Sequence, residues 1–448
     1  MPFPDIQISV VREERDLDAF IRFPWTLYRN DPHWVPPLIS DVKKLLDRKH
    51  HPFHQHAEVE YFLARRRGAR GGHEGEVVGR IAAIVNHAHN EFHEEKTGFF
   101  GFFETIDDES VAALLLQAAA DWLSAREMER MRGPASFSSN EEFGLLVDGF
   151  DSGPMVMMTY NPEYYIRLLE RHGLTPAKDL VAYYMTDETI PERLLKLLQR
   201  VEDRAQITVR PLDKKRFDQE VELIRDIYNS AWERNWGFVP MTNAEIDHMA
   251  KELKPVVDPD LVAFAEKDGK TIGFALALPD LNQALRRANG KLWPFGLVKM
   301  LLEMKVRKIR RIRVLTLGVL AEYRKLGADV LLYSHLYRRG TAKGYRAGEF
   351  SWILEDNMPM RRALEQIGAS VYKTYRIYEQ PLGAGAGAEN GRGAASGGAD
   401  AGRDAAATDD GTHAGEGAEN GRGAAATDGM RANEGASSSD ARTSRGTE

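Results

Sequence analysis

The segment Val314-Leu-Thr-Leu-Gly-Val-Leu-Ala-Glu-Tyr-Arg-Lys-Leu-Gly-Ala-Asp-Val-Leu-Leu332 carries the strongest chemical signal in the chain. An apolar strand-like run enters a short basic turn at Arg324, Lys325 and Gly327, and a helical pattern leaves it. Such a turn aims unpaired backbone N–H groups and the positive end of the helix dipole at whatever lies over it, which suits a phosphate. Arg324 and Lys325 add charge at the same place. Any strand-to-helix turn can carry a glycine, so the turn alone also admits a purely structural reading. Seven of the thirteen histidines cluster in two groups, His50, His51, His54 and His56, then His87, His89 and His93. Neither group offers a defined set of four ligands, so they read as loop or surface residues and no metal is expected. Cysteine is absent, which excludes disulfides, thiolate metal sites and a cysteine nucleophile.

These groups need a scaffold, and 448 residues with 43% hydrophobic and 28% charged content provide for two or three soluble domains. Two stretches of the chain follow one order of signals. Strands at Glu76–Val85 and Leu261–Leu278, the latter a hairpin turning at Asp268-Gly269, come first. Apolar strands at Phe99–Phe103 and Val314–Val319 follow, then helices at Ser110–Arg130 and Gly327–Gly340, then third strands near Met131–Ala135 and Glu349–Leu354. LLERHGL and ALEQIGA each close a short helix on a glycine before a strand rich in tyrosine. The pattern predicts an α/β fold with a mixed sheet, present twice, over 1–190 and 205–381, joined by a helix at 191–204. From 382 the chain is Gly/Ala-rich, repeats GAENGRGAA and offers almost no core-forming side chain, so this tail is expected to be disordered.

Charge and targeting signals narrow the partners. The net charge is -7, and the tail contributes eleven acidic residues against six arginines. The remaining body is close to neutral and gives no electrostatic reason to expect nucleic acid. The N-terminus turns charged before any apolar stretch, and no apolar run approaches the ~18 residues of a membrane span, so a cytoplasmic protein is expected. Lys291–Arg313 is basic and amphipathic; it reads either as a helix packed on its own sheet or as a membrane-surface contact, the first being preferred.

Arg324-Lys-Leu-Gly327 after a strand, followed by Ser351-Trp-Ile-Leu-Glu-Asp-Asn357 before a helix ending at Gly368, resembles the second half of a GNAT-type acyl-CoA N-acyltransferase domain. The whole chain looks like two such units in tandem. The resemblance implies acetyl-CoA or another acyl-CoA as co-substrate and a small-molecule amine as acceptor. It places the pyrophosphate at Arg324, Lys325, Gly327 and Ala328, the pantetheine along Leu317, Gly318 and Val319, and Asn357 beside them. Two positions depart from the family's pattern. Asp329 stands where a small residue is usual, and Leu364 stands where many members have the tyrosine that protonates the leaving thiolate. Tyr375 is carried forward as a candidate acid, with packing as its competing role. An amine must lose a proton before it attacks a thioester, which makes Glu355 and Asp356 the candidate bases. Both also fit as charges at a helix N-terminus capped by Asn357. Trp232 and Trp236 resemble acceptor-covering loop residues, although their spacing of four equally suits one helical face. The first unit reads Glu-Thr-Ile-Asp-Asp-Glu-Ser where its phosphate turn should be, so it is expected to be a scaffold or half of the acceptor cleft. The reading is therefore acyl transfer, with acetyl preferred, from acyl-CoA to a primary amine. A Fem-type aminoacyl transferase and a catalytically degenerate ligand-binding protein stand as the alternatives.

Overall fold

Apolar strands pair in chain order to build most of one mixed sheet in this computed structural model. It describes residues 5–67, 75–187, 206–233, 235–291 and 308–383, with residues 200, 295, 296, 298, 300 and 302 besides. The tail beyond 383, most of the expected connecting helix at 191–204 and most of the basic stretch from 292 to 307 lie outside the described residues.

The first half runs β1 (Ile6–Val10), α1 (Glu14–Leu27), α2 (Ile39–Leu45), β2 (Ala57–Arg66), β3 (Glu76–Asn86), α3 (His87–His93), β4 (Thr97–Thr105), α4 (Glu109–Ser124) and β5 (Arg130–Gly133). It continues with β6 (Ala135–Ser136), β7 (Glu142–Phe143), β8 (Leu145–Asp148), α5 (Tyr164–Arg171) and β9 (Thr175–Thr186). The second half runs β10 (Thr208–Pro211), α6 (Phe217–Trp232), α7 (Asn243–Leu253), β11 (Val262–Lys267), β12 (Lys270–Pro279) and α8 (Asn282–Ala288). It ends with β13 (Arg311–Val319), α9 (Ala328–Lys343), β14 (Ala347–Leu354), α10 (Met358–Gln366) and β15 (Ser370–Pro381). Two of the helices start on clear side-chain caps: Asp108 accepts from the N–H groups of Ser110 and Val111 on α4, and Thr242 and Glu245 form a capping box on α7.

The sheet order is β1-β2-β3-β4-β5-β15-β9-β14-β13-β12-β11-β10. Each half supplies one parallel pair, β4 with β5 and β13 with β14. At the centre the last strands change places: β15 pairs with β5 and β9 pairs with β14, while β9 and β15 pair with each other. Each tyrosine-rich strand ends its own half in the sequence, yet its hydrogen bonds run across to the other half. Packing follows the exchange. Val181, Tyr183 and Met185 of β9 join the core beneath α9, whereas Tyr375 and Ile377 of β15 join the core of the first half.

Candidate active site

The parallel pairing of β13 with β14 covers only four positions, from Arg311 opposite Ala347 to Val314 opposite Phe350. Beyond it the strands part. β13 stays with β12 as far as Val319 opposite Gly273, and β14 stays with β9 as far as Leu354 opposite Leu180. A cavity of about 1040 Å³ opens at the split, between the sheet and helices α9 and α10. Leu317, Gly318 and Val319 line it. Gly318 lies so close to the Trp232 ring that a Cβ there would stand 2.5 Å from it, so glycine is what lets strand and ring meet.

The turn expected to hold a phosphate lies beside the cavity, which Arg324 and Asp329 line but Gly327 and Ala328 do not. Gly327 has φ 80°, a conformation that favours glycine, and α9 starts directly after it without a side-chain cap. Arg324, Asp329 and Val330 line the cavity, while Ala328 is buried behind the turn. The Arg324 guanidinium donates to the carbonyls of Ala231, at 3.0 Å, and Val319, at 3.3 Å, which holds its charge beside the split. The side chain of Lys325 lies outside the described residues. Asn357 lines the cavity as well, but its side-chain oxygen caps α10 by accepting from Met360 N at 3.3 Å. Trp232 ends α6 and Trp236 stands in the loop after it, so the two do not share a helical face; both line the cavity.

The three residues expected to handle protons are not gathered together. Asp356 lines the cavity but pairs with Lys178 at 2.7 Å, and that hydrogen bond holds its carboxyl below the usual range. Glu355 is exposed and accepts from Asp179 N at 3.2 Å. Tyr375 is fully buried in the first half's core, away from the cavity lining, and its hydroxyl has no partner among the described residues. Leu364 is fully buried and lines the cavity as packing.

A polar cluster that spacing did not single out lies on the other face of the sheet, beside the split. Glu349 of β14 is fully buried and accepts from Ser351 Oγ at 2.5 Å and from the Tyr372 hydroxyl. Arg313 of β13, 3% exposed, lies 3.5 Å from Glu349 and donates to Ser351 Oγ at 2.9 Å and to the carbonyls of Val156 and Met157. Burial raises the Glu349 carboxyl above its ordinary range, opposed by the Arg313 charge. Just past the last β13–β14 pair, Thr316 Oγ1 and Trp352 Nε1 are buried polar atoms without partners among the described residues. The signal was present in the sequence as charges at inward-facing positions of RIRVLTL and GEFSWIL, which apolar strands tolerate only when the charges pair. No group of three or more His, Asp or Glu among the described residues is arranged to hold a metal ion, and no helix among them is long and apolar enough to cross a membrane.

No family model matches the chain. It is 38% identical over 375 residues to Protein YghO of Escherichia coli (strain K12), covering 82% of this chain and 94% of that protein. It is 39% identical over 393 residues to the bacterial ceramide synthase of Caulobacter vibrioides (strain NA1000 / CB15N), covering 85% of this chain and all of that protein. Among solved structures, a tandem GNAT protein from the clavulanic acid biosynthesis pathway matches 85% of this chain and all of its own length, with TM-score 0.51 and 11% identity, a likeness of fold alone. The GCN5-related glucosamine N-acetyltransferase region of a fungal multi-domain β-N-acetylglucosaminidase matches 84% of this chain and 38% of its own, with TM-score 0.50 and 12% identity. With its two exchanged units and its split parallel pair the chain has a fold like that of the tandem GNAT protein, and by its relatives it belongs to the family that contains Protein YghO and the bacterial ceramide synthase.

Proposed function

We propose that the protein is an acyl-CoA-dependent N-acyltransferase whose donor sits in the second half and whose acceptor is the primary amine of a long-chain base. The observation that carries this reading is the split between β13 and β14, which opens into a cavity lined by Arg324 and Asp329 on either side of the Gly327 turn. The pyrophosphate of coenzyme A would lie over the start of α9 with Arg324 beside it, and the pantetheine along Leu317–Val319, where β13 has lost its β14 partner and, apart from the Val319 carbonyl held by Arg324, its edge would meet the pantetheine amides. The likeness to the bacterial ceramide synthase supports a fatty acyl donor over an acetyl one and a long-chain base as acceptor.

The amine nitrogen attacks the thioester carbonyl, a C–N bond forms, the C–S bond breaks, and coenzyme A leaves as the thiolate, which takes a proton. Leu364 cannot supply that proton, so it comes from solvent at the open mouth. The proton shed by the amine is assigned to Glu349 through Ser351 Oγ, which donates to that carboxylate beside the split, whereas the Asp356 carboxylate is engaged by Lys178.

Incubating the purified chain with palmitoyl-CoA and a long-chain amino alcohol, and measuring free thiol and amide product, tests the reading. Gly327→Val places a branched side chain at φ 80° over the turn and Arg324→Ala removes its charge. Each is expected to weaken coenzyme A binding at least tenfold, a loss of ~1.4 kcal/mol, on protein that circular dichroism shows to be folded. Wild-type affinity in both would remove the turn from the donor site.

A further inference from the structure

The cavity is longer than the donor's pantetheine needs. Its lining along α9 runs from Asp329 to Thr341, ~18 Å at a helix rise of ~1.5 Å per residue. It therefore passes under the split and on beneath the paired part of β13 and β14, where Ile312 and Gly348 form its floor. The two arms differ in chemistry. At the split the strands have unpaired edges, which suit the amides of pantetheine. Beneath the paired part, from Arg311 opposite Ala347 to Val314 opposite Phe350, the backbone groups are already bonded across the strands. Nothing in that floor can satisfy a polar ligand. Two hydroxyls along this arm are likewise spent, Thr341 donating to the Tyr337 carbonyl at 2.8 Å and Tyr333 facing Met360 Sδ at 3.3 Å. Ile312, Val314, Phe350, Leu336 and Ile367 supply an apolar wall, and at the far end Arg346 pairs with Asp187 at 2.8 Å.

We propose that this inner arm holds the hydrocarbon chain of the acyl donor, and that Gly340 of α9 and Gly348 of β14 set the longest chain it accepts. The proposal rests on the acyl-CoA reading above and deepens it. Both glycines line the arm, and both have room to spare. A Cβ on Gly340 would meet Leu261, Ile312 and Tyr345 at 3.8 to 4.0 Å, and one on Gly348 would meet Ile312 at 3.7 Å, ordinary contact distances. A single methyl therefore fits, while a longer side chain must occupy the space that a ligand would use. An apolar chain entering such an arm gains affinity with each methylene removed from water, ~4-fold per carbon. That gain ends where the arm ends.

The test is a calorimetric series on the full chain with butyryl-, octanoyl-, dodecanoyl- and palmitoyl-CoA below their micelle concentrations, run on wild type, Gly340→Ala, Gly340→Leu and Gly348→Val. In the wild type, affinity is expected to climb steeply with chain length, whereas Gly340→Leu and Gly348→Val keep the wild-type affinity for butyryl-CoA and lose at least tenfold for palmitoyl-CoA. Gly340→Ala should resemble the wild type, and a helix gains rather than loses by Gly→Leu, so butyryl-CoA binding doubles as the folding control. A flat dependence on chain length in the wild type, or unchanged palmitoyl-CoA affinity in both blocked variants, overturns the proposal. If no CoA thioester binds at all, the donor reading fails by itself; displacement of a fluorescent fatty acid by dodecanoate from the wild type, but not from Gly340→Leu, would still uphold the arm, and equal behaviour of the two would overturn it.

Discussion

The two halves carry the same strand-to-helix junction and use it in opposite ways. In the second half α9 begins uncapped after Gly327, and the split beyond Val314 and Phe350 opens on the cavity. In the first half α4 begins on Asp108, whose carboxylate fills the helix N-terminus by accepting from Ser110 and Val111 N–H. Arg167 and Arg171 of α5 then lie against Asp107 and Glu109, so the positive charge there is the chain's own. The split between β4 and β5 is closed too: a side chain at Gly101 would run into the Ala135 backbone, and Phe102 N donates to Ser136 Oγ at 3.1 Å. One fold thus yields an open cavity or a sealed scaffold according to whether the chain supplies its own anion and its own plug.

Three changes would break or sharpen that contrast. The largest effect is expected from the buried pairs, for each half holds one: Arg80 with Glu104 at 3.8 Å, and Arg313 with Glu349 at 3.5 Å. Glu349→Ala strands Arg313 as a buried charge and should lower stability by ~3 to 5 kcal/mol, read from the urea midpoint; a loss below ~1 kcal/mol would mean that water reaches the pair. In the sealed half, burial raises Glu104 to about 7, above its value in the unfolded chain. The native state therefore holds this proton more tightly, so its contribution is full below pH ~4.3 and is lost as pH rises through 7, a swing of ~4 kcal/mol at most. Glu104→Gln should remove that part of the slope when urea unfolding is compared at pH 5 and pH 8, and an unaltered slope would refute the assignment. The smallest effect belongs to Asp108→Ala, which should cost ~1 kcal/mol of stability through the lost cap. Coenzyme A affinity should stay at the wild-type value, and any change in it would mean that the sealed turn also takes part in donor binding.

Much of this was readable from the chain because the signals were local. Gly327 in a basic turn, the hairpin at Asp268-Gly269 and the acidic run at Asp107–Glu109 each announce themselves within a few residues. What was not readable depends on partners far apart. The apolar, tyrosine-rich runs Leu180–Met185 and Val371–Tyr378 predict strands, but a strand carries no mark of which neighbour it will take, so the exchange of β9 and β15 left no trace in the pattern. The cluster of Arg313, Glu349 and Tyr372 was hidden for the same reason, since its members come from three strands that only the folded sheet brings together. The acyl arm depends on the absence of side chains at Gly340 and Gly348, and a single sequence does not distinguish a glycine that makes room from one that makes a bend.

The exchanged strands also govern how the chain is born. β5, at residues 130–133, takes its outer partner from residues 378–381, so during synthesis at ~5 to 20 residues per second the nascent first half waits roughly 12 to 50 s for the strand that covers its edge. Through that interval it leaves the ribosome with an open row of backbone donors and acceptors, the feature by which sheets recruit strangers. The first half is therefore expected to depend on chaperones during translation, and premature stop codons upstream of Ser370 are expected to yield aggregates rather than a working fragment.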